Sequence, residues 1–252
     1  MNLAINNASL LFATALVGIA LIVVYKEKLG LGKDILIGVV RAVIQLVAVG
    51  FLLGYVFNLN NIIVTLALVL VIIFNASFNA GKKSNGISNA FKISFIAILT
   101  ATSLTLVVLL LSGAVLFIPS QVIPISGMIA SNSMIAIGIC YRNLNAKFKD
   151  QRQQVLEKLA LGANLKQASI TIVRDSIRSG MLPTIESAKT IGIVSLPGMM
   201  SGLMFAGVDP THAIKYQIMV TFMLLSTTSI ASVMASYMAY KEFYTESKQL
   251  KN

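Results

Sequence analysis

Long apolar runs separated by short polar breaks organise most of this chain. The runs cover Ala8–Tyr25, Ile35–Phe57, Ile62–Phe78, Ile93–Ile118, Gln121–Cys140, Thr184–Gly207 and Ala213–Tyr240. About 20 apolar residues at 1.5 Å per residue cross a hydrocarbon layer of about 30 Å. Only helices satisfy every backbone donor and acceptor within such a segment. The pattern predicts an all-α, polytopic transmembrane protein with about seven spans, built as a single domain over residues 1–252. Pro119 and Pro124 bracket a predicted tight turn before the fifth run. Ser195-Leu196-Pro197-Gly198 interrupts the sixth, predicting a kinked, split or re-entrant helix there. One long polar stretch, at about 141–182, stands between runs five and six.

Composition agrees with the pattern. The 252 residues are 56% hydrophobic and only 12% charged, with a mean hydropathy of +0.83. A soluble domain carries about a quarter charged residues. The net charge of +11 raises the question of nucleic acid. Its distribution answers it, because seventeen of the 20 Lys and Arg fall after runs one, three and five or in the tail after Tyr240. Basic loops stay on the cytoplasmic side, so the expected orientation is an external N-terminus and a cytoplasmic C-terminus. The first run lacks the basic segment that precedes a cleaved signal peptide. One cysteine, Cys140, and one histidine, His212, cannot form a disulfide framework or a Cys/His metal site.

The polar stretch mixes Val155, Leu159, Leu165, Ile172 and Ile177 with charged residues at helical spacing. Asp175 lies between Arg174 and Arg178, where basic neighbours can share it. Two readings fit: an interfacial helix lying on lipid, or a short helix that docks into a soluble partner. Leu161-Gly162-Ala163-Asn164 favours docking, since a glycine costs roughly 1 kcal/mol in a helix but serves a sharp turn between two helices.

Several segments carry a resemblance: LALGANLKQAS, GIVSLPGMMSGLMFAGVDP, AIKYQIMV and IPISGMIASNSM. They resemble the FetB-type permeases, bacterial membrane subunits assigned to iron-export ABC transporters and related to a plant aluminium-tolerance protein. The likeness runs over nearly the whole chain. It implies a multi-pass permease of the plasma membrane, itself a homodimer, paired with separate ATP-binding subunits that carry the ATP and Mg. Glu157 followed by Leu161, Gly162 and Ala163 also resembles the loop by which ABC importers contact their ATPase. The spacing from Glu157 to Gly162 is one residue short of that pattern. The resemblance therefore implies a coupling role for the loop but not the importer's direction of transport.

The residues agree that no motor lies within this chain. There is no Gly-x-x-x-x-Gly-Lys-Ser/Thr phosphate loop; the nearest piece, Ala76 to Ser84, has Ala76 and Lys83 in the wrong places. This chain is expected to be a permease and not an enzyme, with no cofactor of its own. The alternative is an ion-coupled secondary transporter, which ordinarily places acids within its spans. Here only Glu186 lies near one, with Lys189 three residues on as its expected ion-pair partner. A membrane anchor that recruits a soluble partner is a third class.

Candidate pathway residues are Arg41 and Gln45 on one face of the second run, Asn75, the mid-span pair Asn132 and Ser133, and the break at Pro197, Gly198, Met199 and Met200. Arg41 can instead snorkel to the membrane surface, and mid-span amides and hydroxyls can instead join helices. The methionines suit packing or a soft ion better than hard iron. The transported species is not legible, and a metal site stays unknown. Gly198, Gly202 and Ala206 form a small-residue stripe expected to let another helix approach.

Overall fold

The computed structural model describes residues 7–59 and 61–251, and among these the secondary structure is helical. The helices are α1 (Asn7–Lys26), α2 (Gly32–Leu59), α3 (Ile62–Lys82), α4 (Ala90–Leu111), α5 (Pro119–Asp150), α6 (Arg152–Ala160), α7 (Leu165–Thr190), α8 (Gly198–Phe205) and α9 (Pro210–Ala239). A 3-10 turn over Tyr240–Phe243 follows α9. Six of these helices, α1 to α5 and α9, are long and apolar enough to cross a membrane. The chain is thus a polytopic, all-helical membrane protein.

Two compact units make up the chain. The first holds α1 and α2 with residues 205–207; the second holds α3 to α7, most of α8, and α9. In the first unit both helices are largely apolar, with Arg41 and Gln45 the polar positions inside α2, and their span-length windows have no residue buried. A helix of that kind is matched to lipid or to a partner's apolar face, not to a soluble core.

In the second unit, α3, α4, α5, α7 and α9 pack around one core. Ile73, Ile98, Ile137, Leu144 and Ile172 are almost fully buried in it. Small side chains let the helices approach: Ala80, Ala97, Ala101, Ala231 and Ala235 are all fully buried. Such residues dominate helix contacts where lipid removes the hydrophobic drive between helices. A second cluster joins Leu109, Ile125, Ile129, Val220 and Met223, with Met128 and Met199 against it.

The predicted sixth span is not a continuous helix. α7 runs on through Pro183 to Thr190, so the helix boundary expected near Leu182 is absent. Pro183 is exposed, and an exposed ring costs one backbone bond without displacing a packed neighbour. The helix ends at a tight turn in which Gly192 takes φ +85° and Ile191 bridges Ser195. Pro197 then precedes α8, whose eight residues reach only about 12 Å. Among the described residues, six helices of membrane-crossing length and one split segment stand where about seven spans, the sixth interrupted, were expected. The predicted turn between Pro119 and Pro124 is also absent: α5 starts at Pro119, and Pro124 lies inside it. Pro at a helix's first position loses no bond, whereas Pro124, five residues on, has no N–H to give the Ser120 carbonyl.

Candidate functional site

Three places in the second unit carry the candidate chemistry. The first is the corner between α6 and α7. Leu161 ends α6, Gly162 donates its N–H to the Leu159 carbonyl at 3.0 Å, and Ala163 donates to Lys158 at 3.0 Å. Gly162 takes φ +89°, and a Cβ there would meet nothing within 4 Å. Backbone conformation and not space requires the glycine. Asn164 caps α7 with a full capping box: Gln167 N–H donates to Asn164 Oδ1, and Asn164 N–H donates to Gln167 Oε1, both at 2.9 Å.

Val155 on α6 and Ala168 and Ile172 on α7 anchor the corner in the core. Leu161 is left 89% exposed at its tip. Glu157 is exposed one turn before and accepts from Gln153 Nε2 at 3.2 Å.

The residues after α9, read from sequence only as a charged tail, fold back onto this corner. Tyr244 Oη and Ser169 Oγ lie 2.5 Å apart in a buried hydrogen bond. Phe243 stacks on Phe148 of α5 at 4.1 Å. Arg152 Nη1 donates to the Lys251 carbonyl at 2.6 Å, and Tyr244 bridges Leu250. Burial pushes the Tyr244 phenol up, with the Ser169 hydroxyl opposing in part. A pocket of about 510 Å3 lies here, lined by Phe148, Phe243, Leu250, Lys149, Arg152 and Lys251 among others. Aromatic docking of this kind gives no periodic signal, because Phe243 and Tyr244 are adjacent in the chain.

The second place is the junction of α5, α7 and α9. α7 runs antiparallel to α5. Lys147 Nζ pairs with Asp175 at 2.5 Å, Ser176 Oγ donates to Asn143 Oδ1 at 3.1 Å, and Gly180 then sits against Ala136 and Cys140. Asp175 therefore answers to Lys147 across the helices and not to its neighbours Arg174 and Arg178. A Cβ on Gly180 would overlap Cys140 Sγ and lie 2.9 Å from the Ala136 carbonyl and 3.1 Å from Ser232 Oγ. α7 can approach α5 and the Ser232 side chain of α9 this closely only because residue 180 has no side chain.

The third place is the break before α8. Met200 is buried, and Met199 packs against the Ile125, Ile129, Val220 and Met223 cluster. Gly198 and Gly202 face nothing: a Cβ on either meets no atom within 4 Å. Among the described residues, nothing packs against Gly198 or Gly202 of the small-residue stripe. Asp209 caps α9, accepting from the Thr211 N–H at 2.9 Å and from the Thr211 hydroxyl. These donors hold its carboxyl below the usual range.

The remaining predicted pathway residues do not converge. Arg41 and Gln45 share an exposed face of α2, in the first unit. Asn75 is exposed on α3, where Asn79 Nδ2 donates to its Oδ1 at 2.8 Å. Asn132 Nδ2 donates to the Met128 carbonyl of its own helix at 2.8 Å. Ser133 is fully buried, and its Oγ has no hydrogen-bond partner. Glu186 pairs with Lys189 at 2.8 Å, as the sequence suggested. Among the described residues, no three His, Cys, Asp or Glu side chains come together as a metal site.

The Uncharacterised protein family UPF0014 matches residues 7–244. This chain belongs to that family. The UPF0014 chain is 56% identical to the Escherichia coli "Probable iron export permease protein FetB", covering 98% of itself and 95% of that protein. It is 32% identical to Arabidopsis thaliana "Protein ALUMINUM SENSITIVE 3", covering 94% and 87%. It is also 32% identical to the Bacillus subtilis "UPF0014 membrane protein YjkA", covering 92% and 93%. No solved structure matches it.

Proposed function

We propose that this protein is the permease subunit of a metal exporter in the bacterial plasma membrane, driven by ATP that a separate ABC subunit hydrolyses. The reading is carried by the 56% identity, over nearly the full length, to a relative named as a probable iron export permease. Iron as cargo comes from that name alone. Two permeases would pair with two ATP-binding subunits, which hold the nucleotide and its Mg. The concentration of Lys and Arg in the 141–182 region and after Tyr240 supports a cytoplasmic position for the α6–α7 corner and the C-terminus, and an external N-terminus.

The corner's build supports the coupling role of Glu157, Leu161, Gly162 and Ala163. Its tip presents an exposed leucine, while the capping box and the Tyr244–Ser169 bond fix its base. A push on the tip therefore reaches α7 as a rigid-body movement, and through α7 the junction with α5 and α9. Alternating access would follow from α7 shifting against α5. Co-purification with a co-expressed ATP-binding subunit tests the coupling. Gly162→Leu is expected to abolish association while leaving the permease inserted; undiminished capture of the ATPase by that variant would reject the corner as the docking turn.

A further inference from the structure

Lys215 stands apart from the other basic residues, most of which follow runs one, three and five or lie in the tail. It sits in the second turn of α9, at the end opposite that tail. The side chain is exposed, and among the described residues no carboxylate pairs with it. Asp209, the acid before it on α9, is engaged by Thr211 and His212. Lys189, another basic residue outside those loops, has Glu186. An ammonium at the edge of the hydrocarbon layer reaches out for water or an anion.

A groove of about 450 Å3 between α4 and α9 ends at this lysine. Leu104 and Val108 of α4 and Ile218 and Phe222 of α9 form its exposed walls, and the buried Leu109 and Met223 its floor. At the inner end Thr105 Oγ1 and Thr227 Oγ1 lie 3.3 Å apart in a hydrogen bond between the two helices. At the outer end Lys215 shares the lining with Ser112 and Ala114, which follow the last residue of α4. Among the described residues lining the groove, Lys215 alone is charged. From Lys215 to Ser226 is about 16 Å at 1.5 Å per residue, about half the hydrocarbon thickness of about 30 Å. The groove is therefore as long as one leaflet, apolar along its length and cationic at its outer end. Phe117 and Tyr216, both exposed near that end, are of the kind that gathers at the membrane surface.

We propose that this groove binds an anionic phospholipid of the leaflet at the N-terminal end of α9. One acyl chain lies between α4 and α9, and the headgroup phosphate meets Lys215. Length and charge together select this occupant. An apolar helix from a second copy would cover the walls and leave the ammonium without an anion. A zwitterionic lipid brings a cation of its own to its phosphate. The site needs no ATPase and stands apart from the permease reading.

Native mass spectrometry tests it. The full chain, purified in mild detergent and stripped of lipid, would be titrated with dioleoyl phosphatidylglycerol and, separately, with dioleoyl phosphatidylcholine. The parent should bind the anionic lipid about fivefold more tightly, the effect of one basic residue near an anionic headgroup. Lys215→Gln should lose that preference and Lys215→Arg should keep it. Lys241→Gln, an exposed lysine at the other end of α9, is the control and should keep it too. Val108→Trp, which fills the groove from its exposed wall, should weaken both lipids without changing the elution volume. A preference that survives Lys215→Gln, or that Lys241→Gln removes equally, would overturn the role of Lys215. Lipid binding untouched by Val108→Trp would overturn the groove as its seat. A dimer that retains no lipid and that Val108→Trp dissociates would give the groove to a second copy and overturn the lipid site.

Discussion

Gly180 and Gly202 look alike in the sequence, each a glycine beside apolar and small residues, yet they stand in opposite surroundings. Gly180 is enclosed by the Cys140 sulfur, the Ala136 carbonyl and the Ser232 hydroxyl. Gly202, on α8, has open space where its Cβ would be. Glycine at 180 lets three helices meet. Glycine at 202 serves no contact among the described residues. A small residue permits close approach; whether a neighbour uses the permission depends on how the helices are arranged.

The sharpest way to break this comparison is Gly180→Val. Overpacking a site bounded by a backbone carbonyl is expected to cost about 1–3 kcal/mol or more, seen as a lower thermal midpoint and loss of monodisperse protein in detergent. Cys140→Ala in the same chain should recover part of the loss, since it removes the sulfur that the new side chain meets. If Gly180→Val melts like the parent, the junction is looser than its geometry.

Tyr244→Phe probes the opposite end of α7, where the tail bonds to Ser169. Losing that buried bond should cost about 1 kcal/mol, including the unpartnered serine left behind. The parent also carries a pH signature. The folded state raises the Tyr244 pKa, so the neutral phenol is favoured in the fold. Its contribution is complete below the unfolded tyrosine value of about 10 and is lost as pH rises through the folded value. Alkaline unfolding should therefore begin later in Tyr244→Phe than its lower neutral stability alone suggests. Identical alkaline profiles would remove the titration from the account.

Gly202→Ala should move stability the other way. With open space and ordinary helical backbone, alanine is expected to gain about 0.5–1 kcal/mol. A destabilised Gly202→Ala would show that α8 packs against something beyond this chain. Pro197→Ala is a companion test, because Pro197 sits at the start of α8 and not within a helix. Folding and ATPase association should survive it; if the break is part of the gate, ATP hydrolysis should uncouple from transport in proteoliposomes, whereas wild-type transport would make it a packing detail.

The smallest effect belongs to Asp209, at the N-terminus of α9. Its lowered pKa means that its support of the cap is present above the unfolded aspartate value of about 4 and fades as pH falls through the folded one. In Asp209→Asn the acid limb of the thermal midpoint should flatten slightly. An unchanged acid limb would leave the Thr211 donors without energetic consequence.

Much of this molecule was legible in its residues. Runs of apolar residues of membrane-crossing length dictate helices, because lipid offers the backbone no other partner. Gly162 announced a turn, since that is a local matter of φ, and the Asn164–Gln167 cap that follows it is equally local. Glu186 and Lys189 paired for the same local reason. What the sequence could not decide is which faces meet. Asp175 has two arginines at hand and yet pairs with Lys147, twenty-eight residues away in sequence. Pro197 seemed to break a helix that Gly192 had already ended. Ser232, on α9, is buried beside Gly180 and Cys140 only because α5 and α7 enclose it. Helix formation is settled by the chain's own backbone and its solvent; enclosure depends on neighbours distant in sequence, and only the tertiary structure decides it.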